Sequence, residues 1–120
     1  MNISAKIAEL KKRPDFAENV GMILAHNGVV RKWSRAQEGK INVLEVRANK
    51  NKIEALRQEY LKHEGIYEIL VESHSGKFYP GDDLLFIVVA GDIRENVKPV
   101  LSDLLNRIKS EAIEKREIFE

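Results

Sequence analysis

The chain contains no cysteine, and this absence restricts its possible chemistry. Without a thiol it cannot form disulfides, bind a metal through cysteine or use a cysteine nucleophile. Any sulfur chemistry would therefore need a partner that carries the sulfur. Long apolar runs are also absent, since the longest, Leu84–Ala90, is far shorter than the ~20 residues that span a bilayer. The N-terminal segment is charged and has no secretory apolar region, so we expect a cytoplasmic protein without a membrane segment.

An excess of charge of one sign is missing as well. Lys and Arg number 20 and Asp and Glu 19, so the net charge of +1 gives no general attraction to nucleic acid or anionic membrane. The sequence contains no P-loop, nucleophile elbow or dinucleotide fingerprint. The three histidines do not fall at metal-ligand spacing, so we predict no metal site and no cofactor. A length of 120 residues with 43% hydrophobic residues predicts one globular domain, residues 1–120.

Apolar spacing and turn signals predict the order helix, strand, strand, helix, strand, short strand, strand, helix. Ser4 is a candidate N-cap of the first helix, and Gly65 is a natural stop for a helix over Asn49–His63. Residues 84–90 are the most apolar segment and predict the central strand. The last helix is expected from about Arg94 to Lys115, with an apolar stripe. This order predicts an α+β fold in which helices pack on one face of a mixed, mostly antiparallel sheet.

Several basic residues follow predicted strands or lie on the last helix. Arg31 and Arg94 each follow an apolar strand, a position that is often only a solvated strand end but can also bind an anion bidentately. Lys109 lies one helical turn from apolar neighbours on either side, so its stem either covers the core or its amine is partly desolvated and reactive. Lys115 and Arg116 follow near the end of the helix, where basic residues also favour the helix dipole.

The order of these motifs resembles the large, catalytic subunit family of molybdopterin synthase. The segment GMILAHNGVVR resembles the family's apolar strand followed by Gly-x-Val-Arg, and INVLEV resembles its Leu-Glu strand. Further on, SHSGKFYPGDDLLFIVVAGDIR and IKSEAIEKREIFE resemble its second glycine-rich stretch and its lysine-bearing ending. The residues that match are Gly28, Val30, Arg31, Leu44, Glu45, Gly76, Gly81, Asp82, Arg94, Lys109, Lys115, Arg116 and Glu117.

The resemblance implies a fold similar to the α/β-hammerhead of that subunit and a sulfurtransferase activity. In the family, a ubiquitin-like small subunit with a C-terminal Gly-Gly brings sulfur as a thiocarboxylate to a cyclic pyranopterin monophosphate, which becomes the molybdopterin dithiolene. The large subunit forms a homodimer within a heterotetramer. The implied catalytic residues are Lys109 and Lys115, and the implied substrate-binding residues are Arg31, Arg94 and Arg116.

Some family positions differ in this chain. Ser73-His74 and Ile93-Arg94 stand where the family has His-Arg pairs, and His26 replaces an aromatic residue on the first strand. A non-catalytic relative that binds a carrier protein or a ligand is therefore an alternative interpretation. A ferredoxin-like ligand-sensing domain is a third, suggested only by the order of strands and helices.

Overall fold

The computed structural model describes residues 2–35 and 37–120, which fold into helices and two antiparallel sheets. The elements in chain order are α1 Ile3–Lys11, α2 Phe16–Asn19, β1 Met22–Val29, β2 Ile41–Ala48, α3 Lys50–Leu61, β3 Ile66–Ser73, β4 Gly76–Phe78, β5 Asp83–Gly91, α4 Arg94–Arg107, a π-helical segment Ile108–Ala112 and β6 Ile113–Phe119. The predicted α+β class is confirmed. The described residues include no helix long and apolar enough to cross a membrane.

The first sheet has the strand order β1-β5-β3, so the most apolar segment is its central strand, as predicted. Each residue from Leu85 to Ala90 is at most 2% exposed, because β5 is paired on both edges and covered on both faces. The antiparallel register pairs Met22 with Gly91 and Gly28 with Leu85. The carboxyl end of β1 therefore lies beside the start of β5.

Helices α3 and α4 pack against this sheet and form the main core with it. The helix expected over Asn49–His63 is α3, and the Asn49 side chain accepts a hydrogen bond from the Lys52 amide at its first turn. The apolar stripe predicted for the last helix is present, and three of its members are buried: Leu104, Ile108 and Ala112. The cap of α1 is different from the prediction, since Asn2 and not Ser4 accepts the bond from Ala5.

The second sheet, with the order β4-β2-β6, corrects the predicted architecture, which has a single sheet and a helix continuing to Lys115. The α-helix instead ends at Arg107, and β6 pairs antiparallel with β2 from Ala48–Ile113 to Ile41–Phe119. Residues 114–117 are charged and have no strand preference of their own. Hydrogen bonds to the buried strand β2 decide their conformation, since strand formation depends strongly on tertiary context.

Candidate functional site

A cleft of about 470 Å³ lies where the end of the first sheet meets the second sheet. Its walls come from β1, β2, β5, β6, the π-helical segment and the loop after β1. Polar and apolar side chains both line it: His26, Gly28, Val29, Val30, Arg31, Arg35, Ile41, Leu44, Leu84, Leu85, Lys109, Ile113, Lys115 and Glu117. Three of the five site residues predicted from the sequence, Arg31, Lys109 and Lys115, are therefore brought together here.

Arg31 is positioned by backbone pairing that continues beyond β1. The Val30 amide donates to the carbonyl of Asp82, and the Gly81 amide donates to the carbonyl of Val30, which is itself only 4% exposed. The Arg31 Nε then donates to the Trp33 carbonyl at 2.8 Å, and its guanidinium lies 4.2 Å from the centre of the Trp33 ring. These contacts restrain the guanidinium at the cleft. Its other N–H groups have no hydrogen bond to the residues that the structure describes, so they can donate to an anion.

Lys109 lies in the π-helical segment and not in a regular α-helix. Its neighbours Ile108 and Ala112 are buried, while Lys109 itself is exposed to the cleft. A π-turn admits one extra residue into a helix, and such turns are frequent at functional sites. Here the turn connects α4 to β6, so that the lysine lies at the junction of the two sheets.

Lys115 reaches the same cleft from β6, where it pairs with Val46 of β2. Alternate residues of a strand share a face, so Ile113, Lys115 and Glu117 all line the cleft. Burial lowers the pKa of Lys115, the positive charge of Lys109 lowers it further, and the Glu117 carboxylate opposes the shift. Arg31 lowers it slightly as well, because the three cations lie close together.

Three further polar residues that are not among the predicted site residues also line the cleft. Arg35 belongs to a polar loop that has no periodicity to orient it. Glu117 accepts a hydrogen bond from the Ser34 hydroxyl at 2.9 Å. Its position in the cleft could not be predicted, because the sequence pattern indicates a helix where the structure has β6. His26 was recognised only as a substitution of a family aromatic, although Leu24, His26 and Gly28 alternate along β1 and so share one face.

The other two predicted site residues lie outside the cleft. Arg116 points to the opposite face of β6, with its Nε 3.9 Å from a carboxylate oxygen of Glu45, and 76% of its side chain is exposed. Arg94 starts α4 and is equally exposed, with Glu95 as its ion-pair partner at 3.8 Å. Since Lys109 lies fifteen residues further along the helix, roughly 20 Å separates Arg94 from the cleft of its own chain.

The fold and the cleft define an α+β protein whose two antiparallel sheets enclose a cationic site at their junction. The chain belongs to the MoaE protein family, whose model matches residues 2–111. This membership confirms the resemblance to the molybdopterin synthase large subunit and supports a role in molybdenum cofactor biosynthesis. No curated protein is similar enough to count as a match.

Solved structures share the fold over most of the chain. Molybdopterin synthase from Staphylococcus aureus is 24% identical with a TM-score of 0.73, covering 84% of this chain and 76% of that one. The MoaE protein from Burkholderia ambifaria is 17% identical with a TM-score of 0.77, covering 100% and 81%. A complex of subunits 1 and 2 of molybdopterin-converting factor from Helicobacter pylori is 17% identical with a TM-score of 0.71, covering 99% and 80%. Because the chain shares the fold of these proteins, the ferredoxin-like interpretation is excluded.

Proposed function

We propose that the protein is a sulfurtransferase, the catalytic large subunit of a molybdopterin synthase. It would take sulfur from the thiocarboxylated Gly-Gly terminus of a ubiquitin-like small subunit. The acceptor would be cyclic pyranopterin monophosphate, which becomes the molybdopterin dithiolene. The observation that carries the proposal is the convergence of Arg31, Lys109 and Lys115 on one cleft in a chain of the MoaE family.

The three cations suit both anionic reactants. The guanidinium of Arg31 is a bidentate partner for a phosphate, and the ammonium groups of Lys109 and Lys115 are point charges that stabilise an oxyanion as it forms. In the proposed transfer the thiocarboxylate carbon–sulfur bond breaks, and water supplies the oxygen that leaves a carboxylate on the carrier. The sulfur replaces an oxygen substituent on a pterin side-chain carbon, whose carbon–oxygen bond breaks and whose oxygen leaves as water or as the freed phosphate oxygen. Two carriers supply the two sulfurs. Since the chain has no cysteine, no step stores sulfur on the protein itself.

The partner and the assembly belong to the same proposal. A structural relative is described as a complex of two subunits of molybdopterin-converting factor, which supports a small-subunit partner. We propose a homodimer of this chain with a carrier bound to each copy, giving a heterotetramer. Arg94 is distant from the cleft of its own chain, so its predicted role in substrate binding requires that it enter the cleft of the second copy. Arg116 faces away from the cleft, so its predicted role in substrate binding would require a surface outside the cleft of its own chain.

Reconstitution tests the reaction. The purified protein is mixed with a thiocarboxylated small subunit and the pyranopterin precursor, and dithiolene formation is followed in single turnover. Lys109→Ala should reduce the rate at least about 100-fold, the usual effect of removing one donor to a developing oxyanion. Lys98→Ala is the matched control, because Lys98 is exposed on α4 and does not line the cleft. Equal rates for wild type and Lys109→Ala would refute the assignment.

The alternative function is a non-catalytic module that binds a carrier or a ligand. The differences at Ser73-His74 and Ile93 favour it. At these positions the chain lacks one of the family's His-Arg pairs and the histidine of the other pair. The two functions differ in turnover. A module would bind the Gly-Gly tail of the carrier, yet the thiocarboxylate would remain intact in the presence of the pterin precursor.

A further inference from the structure

His26 lines the cleft and has an unsatisfied ring nitrogen. Its Nε2 is buried and has no hydrogen-bond partner among the described residues. Buried polar atoms in proteins nearly always have a partner, and an unpaired one destabilises the fold. A phenylalanine or leucine would occupy the same strand position without this cost. The histidine is therefore better explained by a ligand than by packing.

The backbone beside His26 leaves space for the imidazole to turn toward the cleft. Gly28 lies two residues further on the same face of β1 and also lines the cleft. A Cβ at Gly28 would lie 3.3 Å from the His26 Nε2 and 3.5 Å from the Leu85 carbonyl oxygen. A side chain there would crowd the imidazole and prevent it from turning. Because Nε2 is closed to solvent in this conformation, a ligand atom can bind it only after the ring rotates toward the cleft, and glycine leaves room for that rotation.

The charges around His26 define what it can add to the site. Burial lowers the pKa of His26, and the positive charge of Lys109 lowers it further, so the imidazole is neutral at physiological pH. The charged groups that line the cleft with it are Arg31, Arg35, Lys109, Lys115 and Glu117. The lysines and arginines only donate hydrogen bonds, whereas a neutral imidazole nitrogen can accept one or donate one. An uncharged polar atom of a ligand could therefore form a hydrogen bond with the imidazole of His26.

We propose that His26 is a specificity-determining residue of the cleft, whose Nε2 hydrogen-bonds the polar edge of a heterocyclic substrate while the cations hold its phosphate. The inference rests on the proposed function. The heterocycle of a reduced pterin carries both N–H donors and acceptor atoms, which a neutral imidazole can pair. Inorganic phosphate, which lacks that edge, should not depend on His26.

Two variants of His26 distinguish a loss of its hydrogen bond to the ligand from a change in packing. His26→Phe keeps a ring but removes the nitrogen, and His26→Gln keeps a hydrogen-bonding group. Equilibrium binding of cyclic pyranopterin monophosphate should weaken about tenfold in His26→Phe and less than about threefold in His26→Gln, the size of one hydrogen bond. Binding of inorganic phosphate should change less than twofold in both. Thermal unfolding of each variant checks that it is folded.

Wild-type protein gives an independent measurement. The chain has three histidines, so the NMR signal of His26 can be assigned with single variants. Addition of the pterin phosphate should shift the His26 signal, while those of His63 and His74, which do not line the cleft, should stay in place. This readout remains valid if His26→Phe does not fold.

The outcomes are distinguishable. If wild type binds the pterin phosphate but the His26 signal does not shift, the inference is refuted and the proposed function stands. The same conclusion follows if His26→Phe binds it as tightly as wild type, or loses phosphate binding to the same degree. If wild type binds no pterin phosphate at all, the proposed function fails and the inference fails with it.

Discussion

At the scale of single residues, Lys115 is the position where function and stability oppose each other. Its ammonium lies near two other cations and is partly desolvated, and both conditions disfavour the charged form. The side chain as a whole remains exposed, so solvent screens much of this cost. A methionine would keep most of the length of the side chain and remove the charge. The fold should gain from this change while the proposed reaction should lose.

We therefore expect Lys115→Met to unfold at a higher urea concentration than wild type at pH 7, by no more than about 1 kcal/mol, and to transfer sulfur far more slowly. Because the folded-state pKa of Lys115 lies below its ordinary value of 10.5, the unfolded chain binds more protons between those two values. Wild-type stability should thus rise with pH in that window, and the advantage of the variant should shrink. Urea titrations from pH 7 to 10.5 measure this.

Lys98→Met serves as the control for this experiment, since Lys98 is exposed on α4 outside the cleft. Its stability difference from wild type should not follow the same pH dependence. A constant advantage of Lys115→Met over the whole range would show that the charge of Lys115 carries no penalty in the folded state.

The sequence predicted the cationic residues of the cleft better than its neutral ones. Arg31, Lys109 and Lys115 could be identified because basic residues at strand and helix ends also matched an ordered set of family motifs. Periodicity could not show that they converge, since convergence depends on how two sheets join. His26 was overlooked as a site residue because a lone histidine on an apolar strand is usually a core residue, and only its unpaired nitrogen distinguishes it.

At the scale of elements, the first sheet and its helices were predictable and the second sheet was not. The strand β5 and the helix α3 carry strong apolar patterns and end signals within their own residues. In contrast, β6 consists largely of charged residues that also suit a helix, and it is a strand because β2 offers its edge. The π-helical segment has no known sequence signal, yet it separates Lys109 from Lys115 into two different elements.

Gly65 is an element boundary that can be tested by substitution. It has φ +77° between α3 and β3, and an added Cβ would lie 2.3 Å from Asp92 Oδ1 and 2.5 Å from Asn96 Nδ2. The same carboxylate accepts a hydrogen bond from the Ile93 amide at the start of α4. A substitution at Gly65 would thus disturb the beginning of a helix that is distant in sequence.

We expect Gly65→Ala to destabilise the protein by at least about 1 kcal/mol more than Gly81→Ala. Gly81 is the better-matched control, because its positive φ of +95° is nearer to that of Gly65 and an added Cβ would meet nothing within 4 Å. Backbone strain alone should cost about 1–2 kcal/mol or slightly more at either position. Urea unfolding of both variants gives the comparison, and equal losses would mean that the contact with Asp92 relaxes at no cost.

At the scale of the whole molecule, the important feature is its length. The chain extends over 51 × 25 × 24 Å, and the helix α4 together with the π-helical segment runs from Arg94 to the cleft at Lys109. A residue at the start of α4 cannot contact a substrate at the other end of the same helix. If Arg94 binds substrate as the motif resemblance implies, a second copy of the chain must present it. This requirement links the predicted role of one residue to the predicted homodimer.

Mixing two inactive variants tests this link. In a mixed dimer of Arg94→Ala and Lys109→Ala, one of the two clefts would combine an intact Lys109 with the intact Arg94 of the other copy. If the two variants are unfolded together, refolded in equal amounts and assayed well below KM, about one quarter of wild-type activity should return, as expected for random pairing in a symmetric dimer. Activity no higher than the average of the two variants alone would mean that Arg94 does not act across a dimer interface. A mixture of Lys98→Ala and Lys109→Ala, in which half of all clefts stay intact, calibrates the recovery.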